Sequence, residues 1–339
     1  MIKRTILEKL IDLFFPQIRA AFLAAIQDVV DSVLLLQVTR AIQEGDAIKA
    51  FQVLGMSPAA LRPIVASIEA AYERGGVMTG ETFPKYLNTP SGKAVFRFDV
   101  RNSRAEAFLR DKSSELITRI SDDTRVNVRN VLTEGMKAGR NPRNVALDIV
   151  GRIDSATGKR SGGIVGLSEN QGFWVASART KLEQLDSAYL KMELRDKRFD
   201  RTVAKAIETN TPLPADTVDK LVGRYKSNAL KFRGDTIGRT EAIQSLNNAE
   251  YEATLQAVES GAVKASNVQR EWDSAGDKRV RFSHAALDGK RVGLREPFTS
   301  PTGALMLYPG DVSLGAPASE VINCRCRVRT VIDWLQDLD

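Results

Sequence analysis

Cysteine and histidine are scarce in this sequence. Its 339 residues include two cysteines and one histidine, too few for a disulfide scaffold or for a catalytic scheme that uses several imidazole groups. Gly-rich phosphate-binding loops and nucleophile elbows are absent as well, which excludes the usual nucleotide-binding and hydrolase motifs. We therefore predict a chain that folds in a reducing compartment and lacks a familiar enzyme signature.

Long uncharged apolar runs are also missing. The most apolar stretch, residues 20–38, contains Gln27, Asp28 and Asp31, which are costly in a lipid core. The first residues have a charged head, but Glu8 follows closely and no small-residue cleavage site is visible. We expect neither a signal peptide nor a membrane span.

Positive charge is the feature that the chain has in excess. Its 49 Lys and Arg residues outnumber 42 Asp and Glu residues, for a net charge of +7. This balance favours polyanionic partners such as nucleic acid, an anionic membrane or an acidic protein. The length predicts two or three folded modules.

Apolar residues recur at helical spacing in the first quarter of the chain, for example at Leu10, Phe14 and Ile18,. This pattern predicts an N-terminal helical module over residues 1–95, whose first helix bends or restarts at Pro16.

Residues 96–230 are predicted to form a central helical region. In both helical regions, helix starts are predicted where Ser or Asn precedes a first turn, in two cases with Pro at the first helical position. They are Ser57–Pro58 in the N-terminal module and Ser121, Asn141–Pro142 and Ser168 in the central region,. Residues 214–261 are predicted to contain two further helices.

The pattern changes in residues 231–339, where short alternating segments replace long helices. Residues 268–272, 278–284 and 322–331 are predicted as strands separated by turn-rich loops,. The fold class predicted for the whole chain is therefore mainly α with a small α+β C-terminal domain that contains a compact antiparallel-strand module.

Alternation along the predicted strands separates two kinds of residue. Cys324 and Cys326 share one face of the last strand, and His284 lies on the apolar side of its own strand. The opposite faces carry arginines: Arg279, Arg281, Arg325, Arg327 and Arg329. The cysteines and the histidine are therefore predicted to face inward and the arginines outward.

The inward residues allow three interpretations. Buried thiols that pack as small apolar groups are favoured, because the paired zinc knuckles of common metal sites are missing. The alternatives are a redox or nucleophilic role and a structural zinc site. In the zinc site, His284, Cys324 and Cys326 would be completed by a nearby acid such as Asp277, Asp288 or Asp311.

The polar residues of the predicted helix and the arginine face each allow two interpretations. Arg239, Glu241, Asn247 and Asn248 lie on one predicted helix, where paired polar groups more often join structural elements than perform chemistry. The arginine face either contacts phosphates or an acidic protein surface, or is a solvated face that guards a strand edge.

Residues 230–331 contain a distinctive set of residues in a fixed order. They are Arg239, Thr240, Glu241, Trp272, Asp277, Arg279, Arg281, His284, Asp288, Gly289, Phe298, Gly303, Tyr308, Pro309, Gly310, Asp311, Pro317, Asn323, Cys324, Arg325 and Cys326. In these positions the C-terminal third resembles the phage Mu F-type head morphogenesis domain of bacteriophage minor head proteins. The helical segments upstream also look like the corresponding region of tailed-phage relatives, so the resemblance extends over most of the chain.

This resemblance implies a virion component, a minor head protein at the portal vertex inside the head that acts in head morphogenesis and in genome packaging or ejection. The implied partners are the portal protein, packaged double-stranded DNA, and the major capsid or scaffold protein. The implied location is the virion, with the host cytoplasm during assembly. No catalytic activity or cofactor is implied, although related domains also occur in phage-encoded toxins, joined to effector modules.

Two other hypotheses remain beside the minor head protein. One is a metal-dependent nuclease or nucleotide-modifying enzyme centred on His284, Cys324 and Cys326, with Glu241 nearby. The other is a plain DNA-binding protein that uses the arginine face. We favour the structural protein and expect no enzymatic activity, because no complete catalytic constellation is visible.

Overall fold

The computed structural model describes residues 6–83, 87–89, 92–155 and 157–334. Its α-helices are α1 (Ile6–Ser32), α2 (Leu35–Gln43), α3 (Ala47–Val53), α4 (Arg62–Gly80), α5 (Ser103–Lys137), α6 (Pro142–Val150), α7 (Glu169–Glu183), α8 (Asp200–Glu208), α9 (Ala215–Glu259), α10 (Phe282–Ala285) and α11 (Ala318–Val321). Its strands are β1 (Leu87–Thr89), β2 (Gly92–Ala94), β3 (Arg152–Ile153), β4 (Arg160–Ser161), β5 (Val268–Asp273), β6 (Arg291–Gly293), β7 (Phe298–Thr299), β8 (Leu305–Met306) and β9 (Arg327–Ile332). The fold is mainly α with a small α+β part near the C-terminus, as the sequence predicts.

The chain divides into two compact units, each built from separate stretches of sequence. The C-terminal unit comprises Met1–Ala21, Ile64–Ser113 and Asp235–Asp339. The central unit comprises Phe22–Pro63 and Ser114–Gly234. All of the longer strands lie in the C-terminal unit.

Helix α1 contains Pro16 in its interior, so the restart that the sequence predicts there is wrong. Proline removes one backbone hydrogen bond and crowds the preceding turn. Ile18 and Phe22 on the following turns are 0% exposed, and burying such a side chain stabilises a fold by roughly 1.5–3 kcal/mol. Packing of the apolar face therefore outweighs the lost hydrogen bond.

Helices α5 and α9 are longer than predicted. Ser121 lies inside α5, and a single helix occupies most of residues 214–261, where two were predicted. In α5, Leu116, Ile120 and Thr124 are all buried at a spacing of four. The buried face thus continues past Ser121, and the isolated cap signal does not end the helix.

Helix α4 begins at Arg62, four residues later than the start predicted at Pro58. Ser57 instead closes a turn, in which its Oγ accepts a hydrogen bond from the backbone N–H of Ala60 at 3.3 Å. The cap chemistry is therefore present, but it organises a turn ahead of the helix.

Two other predicted helix starts are confirmed. Asn141 caps α6 by accepting a hydrogen bond from the Arg143 backbone N–H at 2.9 Å, with Pro142 at the first helical position. Ser168 caps α7 in a reciprocal arrangement with Gln171, in which each side chain accepts a hydrogen bond from the other's backbone N–H. Both arrangements satisfy backbone donors that a helix start leaves open.

The central unit contains a buried ion pair. Asp148 Oδ1 lies 2.9 Å from Lys226 Nζ, both side chains are buried, and Arg140 adds a second contact at 2.6 Å. Burial alone would raise the pKa of Asp148, but the surrounding cations hold it well below its usual range. The pair links α6 to α9 inside this unit.

The C-terminal unit contains a three-stranded antiparallel sheet in the order β6–β5–β9. On the central strand, Glu271 is opposite Arg291 of β6 and Arg329 of β9. Strands β7 and β8 form a separate pair. Trp272 and Phe298 pack edge to face at 5.3 Å in the core below these strands.

Two of the predicted strands differ from the structure. Residues 278–284 are not a strand, because a turn at Asp277 is followed by α10, and Phe282 is 84% exposed. The last strand begins at Arg327, not at residue 322. Asn323 adopts the left-handed conformation with φ 57°, which interrupts an extended chain and explains the late start.

One helix among the described residues, Leu7–Ser32, is long and apolar enough to cross a membrane by length and composition. Ile18 and Phe22 on this helix are fully buried within the protein. A core helix meets the same criteria, and we assign no membrane span to it.

Candidate functional site

The histidine and the two cysteines of the chain lie together in the core of the C-terminal unit. His284 Nδ1 is 3.4 Å from Cys324 Sγ and 3.4 Å from Cys326 Sγ. All three residues are 1% exposed. The helical turn α10 carries the histidine, and the extended segment between α11 and β9 carries the cysteines, so the predicted convergence is present although neither segment is a strand.

Glu320 on α11 completes the environment of the histidine. Its Oε2 lies 2.9 Å from His284 Nε2, and its two oxygens accept hydrogen bonds from Ser283 Oγ at 2.9 Å and Thr302 Oγ1 at 2.7 Å. A carboxylate beside Nε2 favours the tautomer that carries its proton there. The other ring nitrogen, Nδ1, faces the two sulfur atoms.

Trp272 on β5 covers this cluster from the sheet side. Its ring lies 5.0 Å from that of His284 at an interplanar angle of 77°, and the tryptophan is 0% exposed. The edge-to-face contact fixes the plane of the imidazole ring. The donor atoms are therefore held by packing on one side and by Glu320 on the other.

The two thiols have opposite acidities. A hydrogen bond from Cys324, together with contact to His284, lowers the pKa of Cys326 to about 5 although burial opposes this. The shared hydrogen bond and burial raise the pKa of Cys324 well above its ordinary value.

The structure places none of the three predicted acidic partners with these donors. Among the described residues, the group of potential metal ligands at this place consists of the histidine and the two cysteines. Asp277 pairs with Arg325, and Asp288 accepts a hydrogen bond from the backbone N–H of Ser274 at 2.7 Å. The nearby acid is Glu320, which sequence reasoning missed although it lies only four residues before Cys324.

Asp311 stabilises the loop that follows β8 through hydrogen bonds to its backbone. Its carboxylate accepts hydrogen bonds from the backbone N–H groups of Leu307 at 2.7 Å and Ser313 at 2.8 Å. Asp311 is 1% exposed. Its place in the turn after β8 accounts for an acidic residue there without any metal.

The predicted outward face of arginines is a set of ion pairs. Arg325 forms a bidentate pair with Asp277, and Arg327 Nη2 lies 2.6 Å from Asp273 Oδ2. Arg329 pairs with Glu271, which also binds Arg291 at 2.7 Å. Arg325, Arg327 and Arg329 are therefore paired with acids of the same unit, and their contact with phosphates or an acidic protein surface stays a prediction.

Pairing with arginines also lowers the pKa of Glu271 on the central strand. Burial alone would raise the pKa of Glu271, but hydrogen bonds from Arg291 and Arg329 hold it below its usual range. The rows of opposite charge across β6, β5 and β9 stabilise the sheet register, because directly opposed pairs attract.

The two remaining arginines of this set lie just before α10. Arg279 is part of the turn that follows Asp277, and Arg281 is the residue immediately before the helix. Arg281 donates a hydrogen bond to the carbonyl oxygen of Ile322, which fixes α10 against the cysteine segment. Arg279 is exposed, and its backbone N–H donates to Asp277 Oδ1 at 2.8 Å. Arg279 is thus the more accessible of the two cations.

The polar residues of α9 make contacts outside their own helix. Glu241 is 0% exposed and lies 3.1 Å from Lys112 Nζ of α5. The Arg239 guanidinium lies over the Phe15 ring of α1 at 5.2 Å. Asn248 Nδ2 donates to the Tyr308 hydroxyl at 2.7 Å.

Asn247 and Asn323 connect α9 to the cysteine segment. Asn247 Nδ2 donates to the carbonyl oxygens of Pro309 at 2.9 Å and Cys326 at 3.3 Å. The backbone N–H of Asn323 donates to Thr240 Oγ1 at 3.1 Å. These bonds fix the cysteine segment against the long helix.

Arg270 is a buried residue that the sequence pattern does not reveal. It is 0% exposed on β5, and its guanidinium lies over the rings of Tyr251 at 5.0 Å and Phe298 at 5.4 Å. Burial lowers its pKa to about 10. An arginine next to an acidic residue in an alternating strand looks solvent-exposed, and only the tertiary packing shows otherwise.

Comparison of the sequence with protein families gives a match over most of the central and C-terminal chain. The family described as Phage Mu protein F like protein matches residues 126–329, more than half of the chain. The chain belongs to this family.

Two curated proteins share shorter segments with the chain. Minor head protein GP7 of Bacillus phage SPP1 is 39% identical over 72 residues, which are 21% of this chain and 22% of that protein. NAD(+)--arginine ADP-ribosyltransferase EFV of Enterococcus faecalis (strain ATCC 700802 / V583) is 32% identical over 115 residues, 33% of this chain and 20% of that protein. The chain spans about a fifth of the length of both relatives, and no solved structure gives a significant match.

Proposed function

We propose that this chain is a minor head protein of a bacteriophage, located inside the head at the portal vertex. There it acts in head morphogenesis and in genome packaging or ejection. The observation that carries the proposal is membership of the Phage Mu protein F like family, together with 39% identity to a minor head protein over 72 residues. The proposed partners are the portal protein, the packaged double-stranded DNA and the major capsid or scaffold protein.

An exposed aromatic surface in the central unit supports a protein partner. Trp174 on α7 and Phe232 on α9 have ring centroids 6.4 Å apart and are 40% and 43% exposed. Phe173 beside them is 58% exposed. Exposed aromatic clusters are enriched at protein interfaces and supply much of their binding energy. We assign the portal protein to this surface.

The net charge of +7 supports a place close to packaged DNA,. Because the arginines of β9 are paired with acids, we assign DNA contact to the exposed turn that carries Lys278 and Arg279. Phosphate contacts of this kind position a protein on DNA without reading its sequence.

Burial of the Cys–His cluster favours a structural role over the enzyme hypothesis. A nuclease or nucleotide-modifying site needs its reactive groups within reach of substrate, whereas His284, Cys324 and Cys326 are each 1% exposed. Glu241, the fourth residue of that hypothesis, pairs with Lys112 on α5. The similarity to an ADP-ribosyltransferase covers 20% of that enzyme and gives no catalytic group for this chain.

A binding experiment with purified portal oligomers tests the assigned surface. Full-length chain is sedimented with portal oligomers and, separately, with major capsid protein. We expect co-sedimentation with the portal that weakens about tenfold or more in Trp174→Ala, since truncating a central aromatic contact commonly costs over 1 kcal/mol. Ile153→Ser, which alters an apolar side chain 63% exposed outside the aromatic group, serves as the matched control. Equal weakening by both variants, or no portal binding by the unaltered chain, would contradict the assignment.

A further inference from the structure

We propose that His284 Nδ1, Cys324 Sγ and Cys326 Sγ bind one zinc ion, and that this ion is a structural clamp of the C-terminal unit. Cysteine sulfur and imidazole nitrogen are the donors that zinc prefers in structural sites. The three atoms all lie within 4.8 Å of one another. This inference concerns the isolated chain and is independent of its location in a phage head.

The spacing of the donor atoms matches a tetrahedral zinc centre. Zinc bonds of about 2.3 Å to sulfur and about 2.0 Å to nitrogen, at the tetrahedral angle, separate the two donor atoms by about 3.5 Å. Both nitrogen to sulfur distances in the structure are 3.4 Å. Both nitrogen–sulfur distances therefore already fit such an ion.

A single hydrogen bond from a thiol to Nδ1 does not account for both sulfur contacts. The imidazole nitrogen Nδ1 has one lone pair and accepts one thiol proton well. Both sulfur atoms nevertheless lie at the same distance from it. A cation between the three atoms uses all of them at once.

The surrounding groups are those that support a metal centre. Glu320 lies 2.9 Å from the far nitrogen of His284, and a carboxylate at this position orients a metal-binding imidazole and raises its basicity. The backbone N–H of Cys326 donates a hydrogen bond to Cys324 Sγ at 3.4 Å, which holds this sulfur atom in place. The described residues supply three protein donors to the proposed ion.

The ion would join segments that have little regular structure of their own. Helix α10 has four residues, and the cysteines lie in the extended segment before β9. Cross-linking them through zinc fixes both against Trp272 and the sheet. The unit then keeps its shape with short helical turns that would be marginal alone.

Metal content and cobalt substitution test the proposal. The chain is produced without a polyhistidine tag, loaded with Zn²⁺ and dialysed, and zinc is measured against protein concentration. We expect about one zinc per chain. Replacement by Co²⁺ is expected to give the thiolate-to-cobalt charge-transfer absorption and the visible bands of a tetrahedral ion. Because the chain has only two cysteines, the charge-transfer band reports this site alone.

Three variants refine the assignment. Cys326→Ser is expected to lose about half of the charge-transfer intensity, and Glu320→Gln to weaken zinc binding by about 10 to 100-fold while leaving the bands in place. Ser283→Ala removes a hydrogen bond to Glu320 without touching a donor atom, and it is expected to bind zinc with less than a tenfold change.

Two results would overturn the proposal. One is an unaltered chain that retains no zinc after dialysis and gives a cobalt spectrum without a sulfur band. The other is zinc binding that Cys326→Ser does not weaken. Should Cys326→Ser fail to fold, X-ray absorption at the zinc edge of the unaltered chain decides, since two sulfur neighbours at about 2.3 Å are expected.

Discussion

Asn247 on α9 accepts a hydrogen bond from the backbone N–H of Val328 on β9 at 2.9 Å. The same side chain donates to the carbonyl oxygens of Pro309 and Cys326. A single fully buried amide thus joins the longest helix to the sheet and to the cysteine segment.

Replacing this amide should be strongly destabilising. We expect Asn247→Ala to lower the free energy of unfolding by about 3 kcal/mol, because it leaves buried backbone groups without partners. Urea denaturation followed by far-ultraviolet circular dichroism measures the change. Asn144→Ala, at an exposed position of α6, should change stability by less than about 0.5 kcal/mol. A similar effect of both variants would contradict the role of Asn247.

Lys112 on α5 supplies the positive charge that faces the buried Glu241 at 3.1 Å. Removing one partner of a buried ion pair leaves an uncompensated charge, so Lys112→Met should cost about 3 kcal/mol or more. The double variant Lys112→Met with Glu241→Gln should recover much of that loss. Arg110→Met, which alters a side chain 72% exposed, is the control. A double variant no more stable than Lys112→Met would show that the charge is not the cause.

Glu250 gives the chain a specific pH dependence. Burial raises its pKa from 4.5 to about 7, although Thr330 donates hydrogen bonds to its carboxyl oxygen. Between pH 4.5 and pH 7 the folded state therefore holds a proton that the unfolded state has released, and stability falls as pH rises through this window.

We expect Glu250→Gln to remove this pH dependence and to stabilise the chain at pH 8 by about 2 kcal/mol. The free energy of unfolding measured in urea at pH 5, 6, 7 and 8 tests it. Glu208→Gln, at an exposed position of α8, should leave the slope unchanged. A slope that survives in Glu250→Gln would assign the effect to another group.

The assignment of DNA contact to Lys278 and Arg279 predicts a graded salt effect. Each lost phosphate contact lowers the slope of log affinity against log salt by about 0.9. Lys278→Ala and Arg279→Ala should each show this decrease in fluorescence anisotropy with a DNA duplex. Arg327→Gln, whose side chain is 15% exposed and paired with Asp273, should keep the slope. An unchanged slope in both turn variants would remove that turn from the interface.

Periodicity predicts the helical character of the chain but not where its helices end. Ser168 and Asn141 cap helices as expected, because local hydrogen bonds decide those starts. Ser121 does not, since the buried face of α5 continues past it. A capping residue in the sequence predicts a helix start only where tertiary packing does not continue the helix past it, and the sequence alone does not show that packing.

The local sequence pattern also predicts only part of the candidate site. Alternation correctly turns Cys324 and Cys326 inward, since both are buried, but it places them in a strand that begins only at Arg327. Pairing of the neighbouring arginines with acids on β5 depends on sheet register, which no local pattern contains,. Glu320 was missed because its role arises only when α11 lies beside α10.

The central claim is that this protein is a component of the phage head, at the portal vertex. Quantitative mass spectrometry of purified heads, assembled with and without the portal protein, tests it most directly. The account predicts a few copies of this chain in each complete head and a large loss from heads that lack the portal. Absence of the chain from complete heads, or equal amounts in both preparations, would contradict it.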